Sequence, residues 1–512
     1  MAKVNQLKAG AFISYFQLAL SNIIPLIYTP IMLSKLGQGQ YGLFTTAQSV
    51  LAMLALLNFG IGGTITRYVT RAIALGDKEA EEKIVGVFFT IYSVISALIL
   101  TVGCIVAFNL RIWYGDLSDA DFQTFQLLVF LMVANTVITL PFSVFSCISV
   151  SHERFIFNKG VNLLTSVFSP ALNLAMLFMG FASVGLVLAN TIISFISYAL
   201  YVFYSIKVLK IKPRFKGIDW SILKEIFAFS AFMFLGEISN LLYWQTDKLM
   251  LTSMVGPEAT AVYNIGATFN TYMQNFSIAL ISVLVPRIMK MVTLQASKKE
   301  LTDVFVKTGR LQFIILGFLL SAFLVLGRQF IGFWAGAGYE DAYIIALLVM
   351  IPVCIPLIQS AGLQMVVAQN KHRFRAIMFA AISVLHVVAA FFIIPHFGII
   401  GCAVNTCVCF IIGPVIVMNF YYHFKTGINI PLFWWNILKM SFVPAIFTVL
   451  GFIYTEHFPI NSLWEFLGVA CLYTAAFIFP CYFLMMNRYE KDIFKNPIVG
   501  IILKLKAKIK KA

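Results

Sequence analysis

The stretch "GEISNLLYWQTDKLM", residues 236–250, sets Glu237, Asp247 and Lys248 inside an apolar run. An ionisable side chain at the centre of a membrane-spanning helix costs roughly 2.5–3.5 kcal/mol on insertion scales. Such groups therefore gather where they can share water or partners. At about 100° per residue, Glu237, Asn240, Trp244, Asp247 and Lys248 fall within a stripe about 100° wide. That grouping fits an interhelical polar pair or the wall of a wet cavity. A mid-span carboxylate such as Glu237 can change charge as its surroundings change, which suits it to coupling with H+ or Na+.

Two more polar strips follow the same logic. Asn264, Thr268, Thr271, Asn275 and Ser282 share one narrow face of the next apolar run. Asn22 and Thr29 lie on another near the N-terminus, with Pro25, Ser14 and Ser21 close by. Strips of Ser and Thr also serve helix packing. Three of them at repeat-related positions fit a wet cleft better. Arg67 and Arg287 sit at equivalent inner membrane ends. A guanidinium pair offers fork geometry to a diphosphate; ordinary flanking charge is the other reading. On an ideal helix Arg287 points about 140° away from the Asn264 strip. Pro286 beside it could re-aim the chain.

Other chemistries are not indicated. The eight cysteines form no CxxC, and Cys407 with Cys409 is a lone CxC, so no metal or cofactor is called for. The histidines form neither HxxxH nor HExxH. Asp116, Asp119 and Asp121 stand in a loop too short for a membrane glycosyltransferase or polymerase, so the chain reads as a transporter rather than an enzyme.

The elements that position these residues are helices in a bilayer. The chain has 512 residues, 60% of them hydrophobic and only 11% charged, against about 25% charge in soluble proteins. Hydropathy predicts about fourteen spans: 9–33, 40–63, 84–108, 122–150, 160–180, 184–206, 225–252, 258–286, 308–327, 342–368, 374–394, 398–421, 433–455 and 462–486. Pro352, Pro356 and Pro414 predict kinks. Of the 37 Lys and Arg, all but Lys35, Arg111, Lys248 and Arg328 fall in alternate segments. That bias puts both termini in the cytoplasm. It also accounts for the net charge of +16 without nucleic acid.

The halves repeat. "SKLGQGQYGLF" at 34–44 corresponds to "SMVGPEATAVYNI" at 253–265, and "TITRYVTR" at 64–71 to "LVPRIMKM" at 284–291. The offset is about 220 residues, so six-span units share one orientation. The predicted domains are an N-terminal lobe (1–210), a C-terminal lobe (211–425), two added spans (426–490) and a basic cytoplasmic tail (491–512).

Three segments resemble one family. "LNFGIGGTITRY" at 57–68 is similar to the second-span signature of bacterial polysaccharide flippases, with Asn58 where an acidic residue is common. "PIMLSKLGQGQYGLF" at 30–44 and "TDKLMLTSMVGPEATAVYNIG" at 246–266 resemble its junctions after spans 1 and 7. The resemblance implies the multidrug/oligosaccharidyl-lipid/polysaccharide exporter superfamily and its O-antigen branch. It implies an all-α polytopic fold, two six-helix lobes around a V-shaped cavity plus two C-terminal helices. It also implies flipping of undecaprenyl-diphosphate-linked oligosaccharide across the bacterial inner membrane by alternating access, for polysaccharide or lipopolysaccharide biosynthesis. A sugar polymerase and a chain-length regulator are then expected partners, beside the lipid-linked oligosaccharide and membrane lipids. The alternative is a cation-coupled small-molecule or drug antiporter, which the lack of a mid-membrane acid in spans 1–6 disfavours.

Overall fold

A backbone in hydrocarbon must satisfy its own N–H and C=O groups, and a helix does this within one segment. The computed structural model describes residues 6–58, 61–215, 234–369 and 371–493, and its regular structure there is entirely helical. Helices α1 (Gln6–Leu54), α2 (Gly62–Leu75), α3 (Lys78–Asn109), α4 (Asp119–Ser151), α5 (Phe155–Phe178) and α6 (Ala182–Phe203) come first. Residues 234–244 form α7. Then follow α8 (Thr246–Met254), α9 (Pro257–Thr293), α10 (Lys298–Trp334), α11 (Ala342–Ile358), α12 (Ser360–Ala368) and α13 (His372–Phe410). Short helical turns including α14 (Met418–Tyr421) lead to α15 (Ile430–His457) and α16 (Leu463–Pro480).

Nine described helices are long and apolar enough to cross a bilayer, and up to eleven if two bent pairs each count as one span. Two of the nine are too long for one crossing. Ala19–Asn58 and Arg373–Thr426 have 40 and 54 residues, about 60 and 80 Å at 1.5 Å per residue against a hydrocarbon core of about 30 Å. Each breaks at a non-helical glycine, Gly37 and Gly398. The start of the expected seventh span and most of the basic tail lie outside the described residues, so the total of fourteen stays an expectation. The proline expectations are met at α11, which bends by 49° into α12 after Pro352 and Pro356. Pro414 sits in a π-helical stretch, Ile411–Val417. Pro286 follows a 54° bend in α9.

The repeat is visible in the backbone. Left-handed residues recur about 220 positions apart: Gly37 with Gly256, Gly76 with Gln295, Gly180 with Gly398, and Lys210 with Gly427. Each pair marks a helix end or break at the same point of both halves.

The chain groups into two compact units. The first takes residues up to Ile265 together with Trp334–Gly338 and Ala376–Thr406; the second holds the rest. This grouping follows contacts, whereas the lobes at 1–210 and 211–425 follow the repeat. In the first unit α3 packs on α4, α1 on α5, and α4 and α5 on α6. A hydroxyl ladder joins α1 to α8 and α9: Ser49 donates to Gln245 Oε1 at 3.0 Å, Thr46 meets Thr252 at 2.5 Å, and Thr252 meets Thr260 at 2.7 Å. In the second unit α10, α15 and α16 enclose Val325, Met440, Val443 and Phe477. There the Arg310 fork grips Glu490 at 2.6 and 2.9 Å and donates to the Met485 carbonyl at 3.0 Å. Large apolar side chains such as Phe391, Phe392, Trp464 and Phe479 stay exposed, as lipid-facing positions require.

Close packing next to the ladder depends on Gly42. A Cβ there would stand 1.8 Å from the Pro257 carbonyl oxygen. Gly42→Ala is therefore expected to destabilise the protein by about 1–3 kcal/mol, the usual cost of overpacking, read as a lower thermal midpoint of the purified protein. An unchanged midpoint would show that α1 and α9 part without cost.

Candidate functional site

The face of α7 and α8 that packs inward is the row Ser239, Tyr243 and Asp247, spaced by four. Helix α13 covers this row. Ser383 Oγ donates to the Ser239 carbonyl at 2.9 Å. The Tyr243 ring stacks on His386, with centroids 4.6 Å apart and planes at 27°. One turn further on, His386 Nε2 stands 3.3 Å from Asp247 Oδ1. Both members of this pair have 0% exposure.

Three hydroxyls complete the site. Tyr263, on α9, donates to Asp247 Oδ2. Thr406, near the end of α13, donates to the same oxygen at 3.0 Å and lies 3.2 Å from His386 Nε2. The Tyr243 hydroxyl donates to the Thr406 carbonyl at 2.6 Å, and Asn405 Nδ2 to the His386 carbonyl at 2.9 Å. One carboxylate thus ties α8, α9 and both stretches of α13 on either side of Gly398. The satisfaction is uneven. Asp247 Oδ2 accepts two hydrogen bonds, whereas Oδ1 stands 3.3 Å from the imidazole, the Cys402 thiol also neighbours the carboxylate, and His386 Nδ1 has no hydrogen-bond partner among the described residues. Unspent capacity in a fully buried site is unusual, and here it lies on a carboxylate and an imidazole that face each other. Among the described residues no group of three or more His, Cys, Asp or Glu is placed to hold a metal.

The stripe expected along residues 237–248 divides. Glu237 and Asn240 are exposed, Trp244 and Lys248 half-buried, and Asp247 fully buried. Residues three and four apart are both helical neighbours, so a wide stripe cannot tell the row under α13 from the row beside it. The turn at Gln245 between α7 and α8 adds to this separation. On α9, Asn264 donates to the Tyr41 hydroxyl at 2.7 Å, Thr271 is exposed and Asn275 half-buried. Asn22 is half-buried on α1. Arg67 is exposed on α2, whose Ile65, Val69 and Ala72 turn inward. Arg287 is exposed on α9 beyond the bend. His386, Tyr243, Tyr263 and Thr406 did not stand out in the sequence. The available signal was His386 itself, an ionisable residue deep in an apolar run.

Comparison with known proteins places this arrangement. The profile of the polysaccharide biosynthesis protein family matches residues 7–292, more than half of the chain, and the chain belongs to that family. Among curated protein sequences none matches. The structure is similar to that of lipid II flippase MurJ in an inward closed conformation, at 15% identity, with 92% of this chain and 98% of that one covered and a TM-score of 0.69. It is also similar to an inward-facing multidrug resistance MATE family transporter of the MOP superfamily, at 15% identity, 78% and 93% coverage and a TM-score of 0.58. The outward-facing form of a MATE family transporter gives 14% identity, 81% and 97% coverage and a TM-score of 0.54. The fold is thus the helical fold shared by these solved flippase and transporter structures.

The Asp247–His386 pair should be energetically coupled. Asp247→Asn and His386→Gln are each expected to lower the thermal midpoint, and the double variant to lose less than the sum, with a coupling of about 1 kcal/mol. Additive losses would mean the two groups do not interact.

Proposed function

We propose that this protein flips an undecaprenyl-diphosphate-linked oligosaccharide repeat unit across the bacterial cytoplasmic membrane by alternating access. The observation that carries the reading is a MOP-superfamily fold in a chain of the polysaccharide biosynthesis family. The solved structure with TM-score 0.69 is that of a protein titled a lipid II flippase. In this reading the repeat lobes, 1–210 and 211–425, alternate around the glycan path, and 426–490 add two spans. Arg67, with Arg287, attracts the diphosphate at the cytoplasmic mouth. Asn22, Asn240, Trp244, Lys248, Asn264, Thr271 and Asn275 serve the path. Both termini are cytoplasmic. A polymerase and a chain-length regulator take over the product, in O-antigen synthesis or a related route.

Coupling to H+ or Na+ has two candidate seats. Glu237 is an exposed carboxylate on α7. The Asp247–His386 pair is dry, so one proton more or less changes a buried charge and the contacts between α8 and α13. A drug antiporter is the second reading, because MATE transporters share the fold.

In proteoliposomes holding a fluorescent lipid-linked oligosaccharide, the wild type should flip the lipid. Arg67→Ala should slow it at least ten-fold. His386→Gln should flatten the pH profile, and Glu237→Gln should leave that profile intact if the dry pair is the seat. Efflux of cationic dyes without glycan-lipid flipping would overturn the flippase reading in favour of the antiporter.

A further inference from the structure

Helix α1 carries Pro30 within the stretch Ala19–Asn58, which is long and apolar enough to cross a bilayer. Proline has no N–H, so the carbonyl four residues earlier, that of Leu26, loses its intrahelical donor. In hydrocarbon such a group needs another partner. It finds one far along the chain. The indole Nε1 of Trp334, the last residue of α10, donates to the Leu26 carbonyl at 3.0 Å.

Beyond the break at Gly37, a second bond joins the same two segments. Gln38 Nε2 donates to the Gly338 carbonyl at 2.7 Å. The strip Trp334–Gly338 therefore holds α1 on both sides of its break, through Leu26 and through Gln38. By its contacts this strip groups with α1 in the first unit. By the repeat it belongs to the C-terminal lobe, and α1 to the N-terminal one. Two neighbours of Gln38 turn to the N-terminal lobe itself. Lys35 Nζ stands 5.3 Å from the centre of the Phe178 ring, and Gln40 Oε1 accepts from Ser183 Oγ at 2.6 Å. The residue between them reaches the strip.

Both bonds can be released. Each joins one side chain to one backbone carbonyl. The Gln38 bond is exposed, so water can replace it. Gly336 and Gly338 have φ of +90° and +86°, which glycine adopts without strain. A Cβ at Gly338 would also stand 2.5 Å from Gln38 Nε2, so glycine lets the carboxamide close on the backbone. The Leu26 carbonyl is more demanding. Having no intrahelical donor, it can part from Trp334 without a large cost only where water reaches it. Release of the indole is thus linked to wetting of this part of α1.

We propose that Trp334–Gly338 is a latch, engaged in this structure, and that access from outside requires Trp334 to leave the Leu26 carbonyl and Gln38 to leave the Gly338 carbonyl. In the topology that the charge bias predicts, both segments face outside. The latch rests on the alternating-access reading and names what holds one of its states. A dry latched state and a wet released state both satisfy the Leu26 carbonyl, and a dry released state does not, so the device has two positions.

The test is labelling of Thr29→Cys, a buried position beside Pro30, by a membrane-impermeant maleimide. The reagent is added to spheroplasts expressing the full-length protein, and mass spectrometry reads the peptide spanning position 29. Labelling should be slow in this parent and about ten-fold faster with Trp334→Phe, which keeps a ring and loses the N–H. Gln38→Ala should act in the same direction and serves should Trp334→Phe fold poorly. Pro30→Ala returns an N–H to the Leu26 carbonyl. In that background Trp334→Phe should add about two-fold at most, because the two changes share one acceptor. Equal labelling of the parent and the latch variants would overturn the proposal. So would an undiminished effect of Trp334→Phe in the Pro30→Ala background, which would make the indole a packing group rather than a cap. Faster labelling of the latch variants, with a wild type that flips no lipid-linked oligosaccharide, would sink the flippase reading and leave the latch standing. Flipping by the wild type, with latch variants that label no faster than their parent, would do the reverse.

Discussion

The first unit is organised around a fully buried carboxylate. Asp247 is fully buried and takes its hydrogen bonds from α9 and α13. A carboxylate in such a place is tolerated only when donors surround it. The donors here come from sequence positions 16 and 159 residues away, so meeting that demand fixes the register of α8 against α9 and α13. Tyr243 and Ser239, the latter through Ser383, extend the same register by one and two turns on the N-terminal side. The hydroxyl ladder then continues it to α1.

Much of the architecture could be read from the amino acids because the bilayer restricts the answer. Long apolar runs in hydrocarbon become helices. The repeat was legible as spacing, and it reappears as left-handed residues at matching points of both halves. Gly37 and Gly256 lie in the paired junctions "SKLGQGQYGLF" and "SMVGPEATAVYNI". A left-handed turn there suits glycine, so the motif recorded a backbone need before any contact was known.

The site was legible only in part. Residues 237–248 announced themselves as polar in an apolar run, and all five fitted one wide stripe. What periodicity could not decide was which edge of the stripe meets another helix. That depends on α13, whose His386 and Ser383 are 139 and 144 positions away from their partners. Asp247 and Asn240 are seven residues apart and nearly in line on an ideal helix, yet one is sealed and the other exposed. The cover of α13 over Asp247 and the turn at Gln245 between the two residues make that difference. The hydroxyls of Tyr243, Tyr263 and Thr406 were silent for the same reason: in isolation each looks like one more packing residue.

The arrangement around Asp247 is also suited to change. A fully satisfied network would hold one state rigidly. This one leaves Asp247 Oδ1 facing an imidazole and leaves His386 Nδ1 without a bond among the described residues. The single Thr406 hydroxyl lies near the carboxylate, the imidazole and the Cys402 carbonyl, at 3.0, 3.2 and 3.1 Å, and its one proton serves one acceptor well at a time. Moving a proton onto or off the pair would redistribute these bonds between α8 and the two stretches of α13.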